Sequence, residues 1–495
     1  MAIAKILGAE TEYGIQVAGN PEANPTVASS VLVNAYAAEV ARRVSWDFED
    51  ESPGRDARGF TVDGAMPPEV ETHLANTVLT NGARLYVDHA HPEYSTPECA
   101  SPLELLTHDR AGELVLVRAM AAARRALAPG EEIVVYKNNS DGKGNSYGAH
   151  ENYLVDREVP FGRLAREVTA HLVTRQVYTG SGKVGCELEG GPRAAFEITQ
   201  RADFFEEAIG LETTLKRPIV NTRDEPHCDA TKYRRLHVIC GDANLAEVAT
   251  FLKVGVTALV LLLVEDGALT GRELVLAHPV AAMRAVSHDL SLAEPLELVS
   301  GETITAIGLQ WELYDVARKY AEERGLAELG PEAVGRQVLE RWEAVLAGLE
   351  SDPASLRHQL DWVAKRELVD AYCARHDCGL DDHRVAVLDL QYHDMRPARS
   401  LFARLDMDTL VEAGAVEQAT TNAPRDTRAY FRGECLKRFP SAIVSANWDS
   451  IVFDVGEDAL RRVPMMEPSR GSASHVDTLF DGCGSAAELL RRLGA

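Results

Sequence analysis

Residues 81–98, NGARLYVDHAHPEYSTPE, decide how the rest of the chain is interpreted. Within this stretch Arg84, Tyr86 and Asp88 alternate with two apolar residues, and this is the period of a β-strand. A strand would therefore place the guanidinium, the phenol and the carboxylate on one face. Unpaired buried charge costs several kcal/mol, so this face is either a solvated surface or a functional site.

The end of this strand favours the functional interpretation. His91 and Pro92 follow the alternating residues, and we expect them to break the strand because proline cannot donate a hydrogen bond to a sheet ladder. Glu93 then comes just after the break. Functional side chains concentrate at strand ends, so histidine and carboxylate groups gathered here indicate a site.

The composition is that of an acidic globular protein. The chain has 495 residues, of which 45% are hydrophobic and 26% charged, and its length allows one large core with a smaller domain. The 76 acidic residues outnumber the 51 basic ones, giving a net charge of −25. Such a surface repels nucleic-acid phosphates and anionic lipids, so we expect neither nucleic acid nor a membrane as a main partner. The alternative is that many of the acidic residues simply keep the protein soluble.

Cysteine usage and apolar runs indicate a cytoplasmic protein. None of the eight cysteines forms a CxxC pair, and reduced thiols in a cytosol are the simplest interpretation. Cys373, His376 and Cys378 are only a weak signal for structural zinc. An acidic residue comes too early at the amino terminus for a secretory signal. The most apolar run, residues 254–264, is too short to span a bilayer, and we predict a buried helix over residues 245–264.

Other predicted strands carry side chains that suit a metal ion. A strand over residues 5–17 would present Glu10 and Glu12 on one face, and further strands carry His150 and His237. Carboxylates with one or two imidazoles suit Mg²⁺ or Mn²⁺. The residues thus indicate a metal–nucleotide site on an antiparallel sheet, performing acyl or phosphoryl chemistry, with Asp88 as base or nucleophile. The substrate stays open at this point.

Two segments between these strands predict binding functions. Residues 45–68 have mixed charge and little periodicity, which predicts a long loop that folds over a ligand or is merely a soluble insertion. The densest basic stretch spans residues 216–235, where an anionic substrate could bind or neighbouring acids could simply be balanced. The basic side chains that we expect to form this groove are Lys216, Arg217, Arg223, Lys232 and Arg234.

Six motifs together resemble one family, the deamidases/depupylases of Pup, the prokaryotic ubiquitin-like protein. They are GAETEYGI (8–15), NGARLYVDHAHPEYSTPE (81–98), YKNNSDGKGNSYGAHENYL (136–154), LETTLKRPIVNTRDEPH (211–227), YRRLHVICGDANLAE (233–247) and NWDSIVFD (447–454). The resemblance covers nearly the whole chain. Two features favour this family over its sister, the Pup ligases: the insertion WDFEDESPGRDARGF (46–60), and a segment DHAHPEY (88–94) that is one residue shorter than the similar ligase pattern.

The resemblance implies an α+β fold similar to glutamine synthetase. We expect a curved antiparallel sheet with packed helices in a catalytic domain over residues 1–425, with residues 45–68 as its active-site loop. A proline-broken hinge near residue 425 would lead to a small carboxy-terminal domain, residues 426–495.

The same resemblance implies a role for each matching position. Asp88 matches the catalytic aspartate. The implied Mg²⁺ ligands are Glu10, Tyr86, Glu93, His150 and His237. The implied nucleotide contacts are Glu12, Arg84, Thr96, Asn152 and Trp448. Lys216, Arg217 and Arg223 are expected to bind the substrate.

The implied reaction is ATP- and Mg²⁺-dependent hydrolysis of the side-chain amide of Pup's carboxy-terminal glutamine, and of the isopeptide bond joining Pup to a lysine. ATP, or ADP plus phosphate, would be a cofactor without stoichiometric turnover. Pup and pupylated proteins are the expected partners of a cytoplasmic monomer. The alternatives are a Pup ligase, a non-catalytic Pup-binding protein and a small-molecule glutamate–amine ligase.

Overall fold

The computed structural model describes residues 1–40, 44–49, 51–62, 75–187, 195–272 and 274–494. The strands formed by these residues are β1 (Leu7–Glu12), β2 (Gly14–Ala18), β3 (Ser45–Trp46), β4 (Asn76–Val78), β5 (Arg84–Asp88), β6 (His91–Ser95), β7 (Glu132–Tyr136), β8 (Ala149–Asp156), β9 (Lys183–Val184), β10 (Phe196–Glu197), β11 (Phe205–Gly210), β12 (Arg217–Asn221), β13 (Tyr233–Val238), β14 (Leu296–Glu297), β15 (Thr303–Ile304), β16 (Ile443–Ala446), β17 (Ser450–Phe453) and β18 (Arg461–Pro464).

The helices are α1 (Pro25–Val40), α2 (Pro102–Ala123), α3 (Phe161–Thr174), α4 (Gln176–Thr179), α5 (Glu247–Glu265), α6 (Pro279–His288), α7 (Ala306–Arg324), α8 (Glu332–Ser351), α9 (Asp361–His376), α10 (His383–Tyr392), α11 (Ala413–Ala419), α12 (Ala429–Arg438), α13 (Ala473–Phe480) and α14 (Ala486–Leu493).

A six-stranded antiparallel sheet forms the centre of the molecule. Its strand order is β13-β8-β1-β6-β5-β4, and every neighbouring pair is antiparallel. Helices pack against it, so the predicted α+β fold with an antiparallel sheet and packed helices is confirmed. Strands distant in sequence, such as β1 and β13, are thereby joined through β8.

Two helices show how local sequence determines the packing around this sheet. Helix α2 begins with a capping box, because the Ser101 hydroxyl accepts from the amide of Glu104 and the Glu104 carboxylate accepts from the amide of Ala100. Helix α5 is apolar on all sides, as expected for a helix in a core. By length and composition α5 could cross a membrane, but the whole of its apolar stretch is buried inside the protein, as predicted.

A second, four-stranded sheet lies in the carboxy-terminal part, in the order β18-β17-β16-β3. Strand β3 comes from near the start of the chain and pairs in parallel with β16, where Trp46 is opposite Ala446. Trp46 is buried in one apolar cluster with Phe431, Ile451 and Leu489. The domain division between residues 425 and 426 stays a prediction. Strand β3, which lies in the expected loop, belongs to this carboxy-terminal sheet.

Two local predictions need correction. The segment over residues 5–17 forms two strands, β1 and β2, interrupted at the buried Tyr13. His91 and Pro92 do not break the sheet. They start β6, which returns antiparallel to β5 after the turn at residues 89–90, and the Pro92 carbonyl accepts from the amide of Tyr13 at 3.0 Å.

The expected loop over residues 45–68 is only partly described. Residues 45 and 46 form β3, while residues 50 and 63–68 lie outside the described residues. The described part of the loop is hydrogen-bonded to the segment between β12 and β13. The amide of Ala57 donates to the carbonyl of Thr222 at 2.8 Å, and the Thr222 hydroxyl donates to Asp56 at 2.6 Å.

Candidate active site

One face of the central sheet collects polar side chains from five strands. The register places Glu10 opposite both Ser95 and His150, and Glu93 opposite both Glu12 and Tyr86. Residues directly opposite each other in a sheet share a face. The full set on this face is Glu10, Glu12, Arg84, Tyr86, Asp88, His91, Glu93, His150, Asn152, Arg235 and His237.

The first group on this face is Glu10, His150 and His237. Each offers a ligand atom within 4.8 Å of the others. Glu10 accepts from Asn152 Nδ2 at 2.8 Å, and its other oxygen lies 3.3 Å from His150 Nδ1. His237 is buried, and neither of its ring nitrogens has a hydrogen-bond partner. Two unpartnered imidazole nitrogens beside a carboxylate are what a metal site offers.

The second group consists of three carboxylates. Glu12, Asp88 and Glu93 bring one oxygen each within 4.8 Å of the others. Burial raises the pKa of Glu93 well above its usual range, and the charges of Asp88, Glu10 and Glu12 add to this increase. Its Oε1 atom is buried without a hydrogen-bond partner. Carboxylates clustered in this way favour either protonation of one of them or a compensating cation nearby.

The donor set fits the Mg²⁺ ion that the sequence predicts. Glu10, Tyr86, Glu93, His150 and His237 all lie on this one face, and carboxylate oxygens are ligands that Mg²⁺ prefers. Burial raises the pKa of the Tyr86 phenol well above its usual range, with Glu93 adding to the effect. The site therefore has an excess of negative charge and of unsatisfied buried atoms, and a divalent cation would relieve both.

Gly148 leaves the room that the Glu12 and His150 side chains occupy. A Cβ atom on Gly148 would lie 2.5 Å from Glu12 Oε1 and 2.6 Å from His150 Nε2, both far below ordinary contact distance. The glycine-rich turn thus brings its backbone directly against the acidic group. The sequence indicated a turn suited to close backbone contact but gave no reason to select this one glycine.

Asp88 lies at the more open end of the same face. Its side chain is 22% exposed, and one oxygen lies 3.3 Å from His89 Nδ1. Burial would raise the pKa of Asp88, but a hydrogen bond from His89 and the charges of His89, His150 and Arg84 outweigh it and lower the pKa. Asp88 is therefore an ionised carboxylate at neutral pH, beside the predicted metal ligands and accessible from solvent.

A cavity adjoins the metal group on its Glu10 side. Its wall includes the predicted nucleotide contacts Thr96, Asn152 and Trp448, together with Glu10 and Arg235. The wall is mostly apolar with a few polar groups, as is typical of small-molecule pockets. Arg235 donates to Asn152 Oδ1 at 2.8 Å and was not among the predicted site residues. Its alternation with His237 was the signal that placed it on this face.

The predicted nucleotide contacts Arg84 and Glu12 lie outside this cavity, on the same sheet face. The Arg84 guanidinium lies over the rings of Trp46 at 4.1 Å and Tyr86 at 3.8 Å. Its NH2 group is buried without a hydrogen-bond partner. Trp46 in turn contacts Trp448 edge to face at 5.0 Å. The amino-terminal end of the expected loop thus covers Arg84, a contact that the sequence did not reveal.

The five basic side chains predicted to form one groove do not converge. Arg217 donates to the carbonyl of Ser146 at 2.9 Å, near the glycine-rich turn, while Lys216 is exposed at the start of β12. Arg223 pairs its backbone with Asp56 of the covering loop. Arg234 is buried on the opposite face of β13 and donates to the carbonyl of Val159, because side chains alternate along a strand.

Lys232 is likewise separate from this groove. It is exposed and forms ion pairs with Asp229 and Glu467. The expectation of a single groove was therefore wrong for Lys232 and Arg234, and Lys216, Arg217 and Arg223 stay as predicted substrate contacts.

Comparisons with known proteins agree on one family. Residues 5–452 match the family model described as Pup-ligase protein. A depupylase of Acidothermus cellulolyticus is 51% identical over 99% of both chains, and a Pup deamidase/depupylase of Mycobacterium tuberculosis is 48% identical over 99% of both. A Pup–protein ligase of Xylanimonas cellulosilytica is 38% identical over 96% of this chain and 99% of its own.

Two solved structures share the fold along most of its length. The ligase PafA in complex with Pup superposes with a TM-score of 0.81 and 33% identity, covering 97% of this chain and 92% of the solved one. PafA in complex with ADP superposes with a TM-score of 0.75 and 36% identity, covering 82% of this chain and 90% of that one.

Proposed function

Because the chain belongs to the Pup-ligase protein family, we propose that it is a Pup deamidase and depupylase, an enzyme that hydrolyses carbon–nitrogen bonds. The observation that carries the proposal is that Glu10, Asp88 and Glu93 lie on one sheet face, beside a cavity lined by the predicted nucleotide contacts. The higher identity to depupylases, 51% and 48% against 38% for a Pup ligase, favours hydrolysis over ligation.

One site serves both proposed substrates, since both bonds are amides at the same carbon. In the deamidation, ammonia leaves the side chain of Pup's carboxy-terminal glutamine. In the depupylation, the amine of a lysine leaves instead. Asp88 is ionised and open to solvent, so its carboxylate either attacks the carbonyl carbon or takes the proton of an attacking water.

The predicted cofactors fit the two neighbouring features of the site. Glu10, Tyr86, Glu93, His150 and His237 would hold Mg²⁺, and Thr96, Asn152 and Trp448 would hold ATP or ADP in the cavity. When bound, the cation would supply positive charge and polarisation at the reacting carbonyl, and the nucleotide phosphates would help to hold the cation. The ADP complex of PafA supports the nucleotide assignment.

The proposed setting is the cytoplasm, where Pup marks proteins for proteasomal degradation. The partners would be Pup and pupylated proteins, bound by a monomer. Arg217 lies next to the glycine-rich turn and Arg223 next to the covering loop, which supports the expectation that they bind Pup. The complex of PafA with Pup supports Pup as a partner.

The test is release of ammonia from glutamine-ended Pup, with and without ATP. We expect ammonia and glutamate-ended Pup, and cleavage of a pupylated protein in a parallel reaction. Incubation with glutamate-ended Pup, ATP and an acceptor protein tests the alternative. Conjugate formation with ADP release, in place of ammonia release, would make the protein a ligase and refute the proposal.

A further inference from the structure

The turn that follows Asp88 has an unusual backbone conformation. His89 has a φ of +51°, a region that side chains other than glycine rarely adopt and that costs of order 1 kcal/mol or more. The turn is held from outside, since the buried Ser29 hydroxyl of α1 donates to the carbonyl of Ala90 at 2.7 Å. A strained residue that the surroundings hold in place, next to a functional carboxylate, needs a functional explanation.

The strained backbone places the His89 ring on the open side of Asp88. Its Nδ1 lies 3.3 Å from Asp88 Oδ2, and its side chain is 56% exposed, compared with 22% for Asp88. The ring is therefore beside the catalytic carboxylate and on the side from which a protein substrate must approach.

The other histidines near Asp88 contact other groups. His91, opposite Asp88 in the hairpin, lies 3.2 Å from a Glu12 oxygen and stacks on Tyr147 with the ring centroids 4.3 Å apart. His150 contacts Glu10. The His91 side chain is 24% exposed, compared with 56% for His89, so of the two described imidazoles beside Asp88, His89 is the more accessible from solvent.

Amide hydrolysis requires a proton for the departing nitrogen, because an amide anion is too basic to leave. We propose that His89 is a further catalytic residue that donates this proton, to ammonia in deamidation and to the lysine amine in depupylation. The inference rests on the proposed function and deepens it. Imidazole is the side chain best suited to give and regain a proton near neutral pH.

The Asp88–His89 pair both supplies the proton that the leaving nitrogen takes and recovers a proton from water. As the C–O bond forms and the C–N bond breaks, the nitrogen takes the proton of His89. If water attacks, Asp88 takes its proton and returns it to His89 across the 3.3 Å contact. If Asp88 attacks, the water that later hydrolyses the acyl intermediate restores the proton. The net reaction consumes one water and yields a carboxylate and a protonated amine, which is ammonium in deamidation and the lysine ammonium in depupylation.

The test compares leaving groups in the variant His89→Asn. Asparagine tolerates positive φ, so the turn is retained. One substrate is glutamine-ended Pup and the other is Pup carrying a nitrophenyl ester on its terminal glutamate side chain, whose nitrophenolate leaving group departs without protonation. We expect a loss of about 10²-fold in kcat for the amide and less than about 3-fold for the ester, following the usual size of general-acid catalysis.

Two further variants keep the test decisive. His89→Gly removes both the ring and the strain, and should show the same split between substrates. His383→Asn, at an exposed position of α10, should leave both rates unchanged. Equal losses on both substrates, or full amide activity in either His89 variant, would overturn the role of His89. A wild-type enzyme that releases no ammonia would instead overturn the proposed function.

Discussion

Asp88 differs from its neighbouring carboxylates in its surroundings. Glu93 is buried with a raised pKa, and Glu10 contacts His150 and Asn152, whereas Asp88 is partly exposed, contacts His89 and has a lowered pKa. In the proposed function these environments would divide groups of one chemical type into metal-holding and reacting roles. The assignment predicts the outcome of a single substitution.

We predict that Asp88→Asn reduces ammonia release from glutamine-ended Pup by at least about 10³-fold, because a carboxamide neither attacks a carbonyl nor accepts a proton. Nucleotide affinity should change little, since Asp88 does not line the cavity. The measurements are single-turnover deamidation and fluorescence titration with a nucleotide analogue. Asp315→Asn, at an exposed position of α7, is the matched control. Retained turnover in Asp88→Asn would contradict the assignment.

Residue alternation carried much of the site prediction. A period of two was enough to place Arg84, Tyr86 and Asp88 on one face, as the structure has them. The meeting of Glu10 with His237 could not be derived from local pattern, because it depends on β8 pairing with both β1 and β13. There the family resemblance supplied the residues that periodicity could not. The roles of these residues stay predictions.

At the scale of elements, the hairpin of β5 and β6 shows where local rules fail. Proline was expected to break the strand, yet Pro92 lies opposite Val87 inside the sheet. Its carbonyl accepts from the amide of Tyr13, just after β1, and this bond needs no N–H group from Pro92. Strand propensity is an average over many proteins, whereas tertiary contacts decide whether one particular proline lies inside a sheet.

The glycine-rich turn between β7 and β8 provides an element-scale prediction. Gly148→Ala should reduce kcat by about 10-fold or more and raise the Mg²⁺ concentration needed for half-maximal rate, because the new methyl group would displace Glu12 and His150. Thermal stability should change little by comparison. The measurements are Mg²⁺-dependent deamidation rates and a melting curve.

Gly162→Ala is the control for this substitution. Gly162 lies in α3 with open space around its Cβ position, so alanine should be tolerated or slightly stabilising there. If the deamidation rate of Gly148→Ala depended on Mg²⁺ concentration as the wild type does, the turn would not be what positions Glu12 and His150.

At the scale of the whole molecule, Glu98 links the central sheet to the carboxy-terminal part. It follows β6 and forms ion pairs with Arg428 at 2.7 Å and with Arg432, both buried on or beside α12. Burial would raise the pKa of Glu98, but the two guanidinium groups lower it from 4.5 to about 2. The folded state therefore binds this proton less readily than the unfolded chain.

The sign of the pH dependence follows from this lowered pKa. The stabilisation is fully present above pH 4.5 and is lost as the pH falls toward 2. We predict that Glu98→Gln lowers the free energy of unfolding by about 3 kcal/mol at pH 7 and by progressively less below pH 4.5. Urea unfolding of both proteins at several pH values measures the difference.

An exposed pair serves as the comparison. Glu488→Gln removes a surface pairing with Arg492 and should change the free energy of unfolding little at any pH. A Glu98→Gln penalty that stays constant between pH 7 and pH 3 would rule out the ionised carboxylate as its source.

The pairing of β3 with β16 joins residues about 400 positions apart in the chain. On the ribosome, Ser45 and Trp46 emerge long before the strand that they accompany exists. This edge of the later sheet forms only after β16 has been synthesised. A fragment that starts at residue 426 would leave the β16 edge unpaired, and the strand that carries Trp46, the cover of Arg84, has no partner until β16 exists.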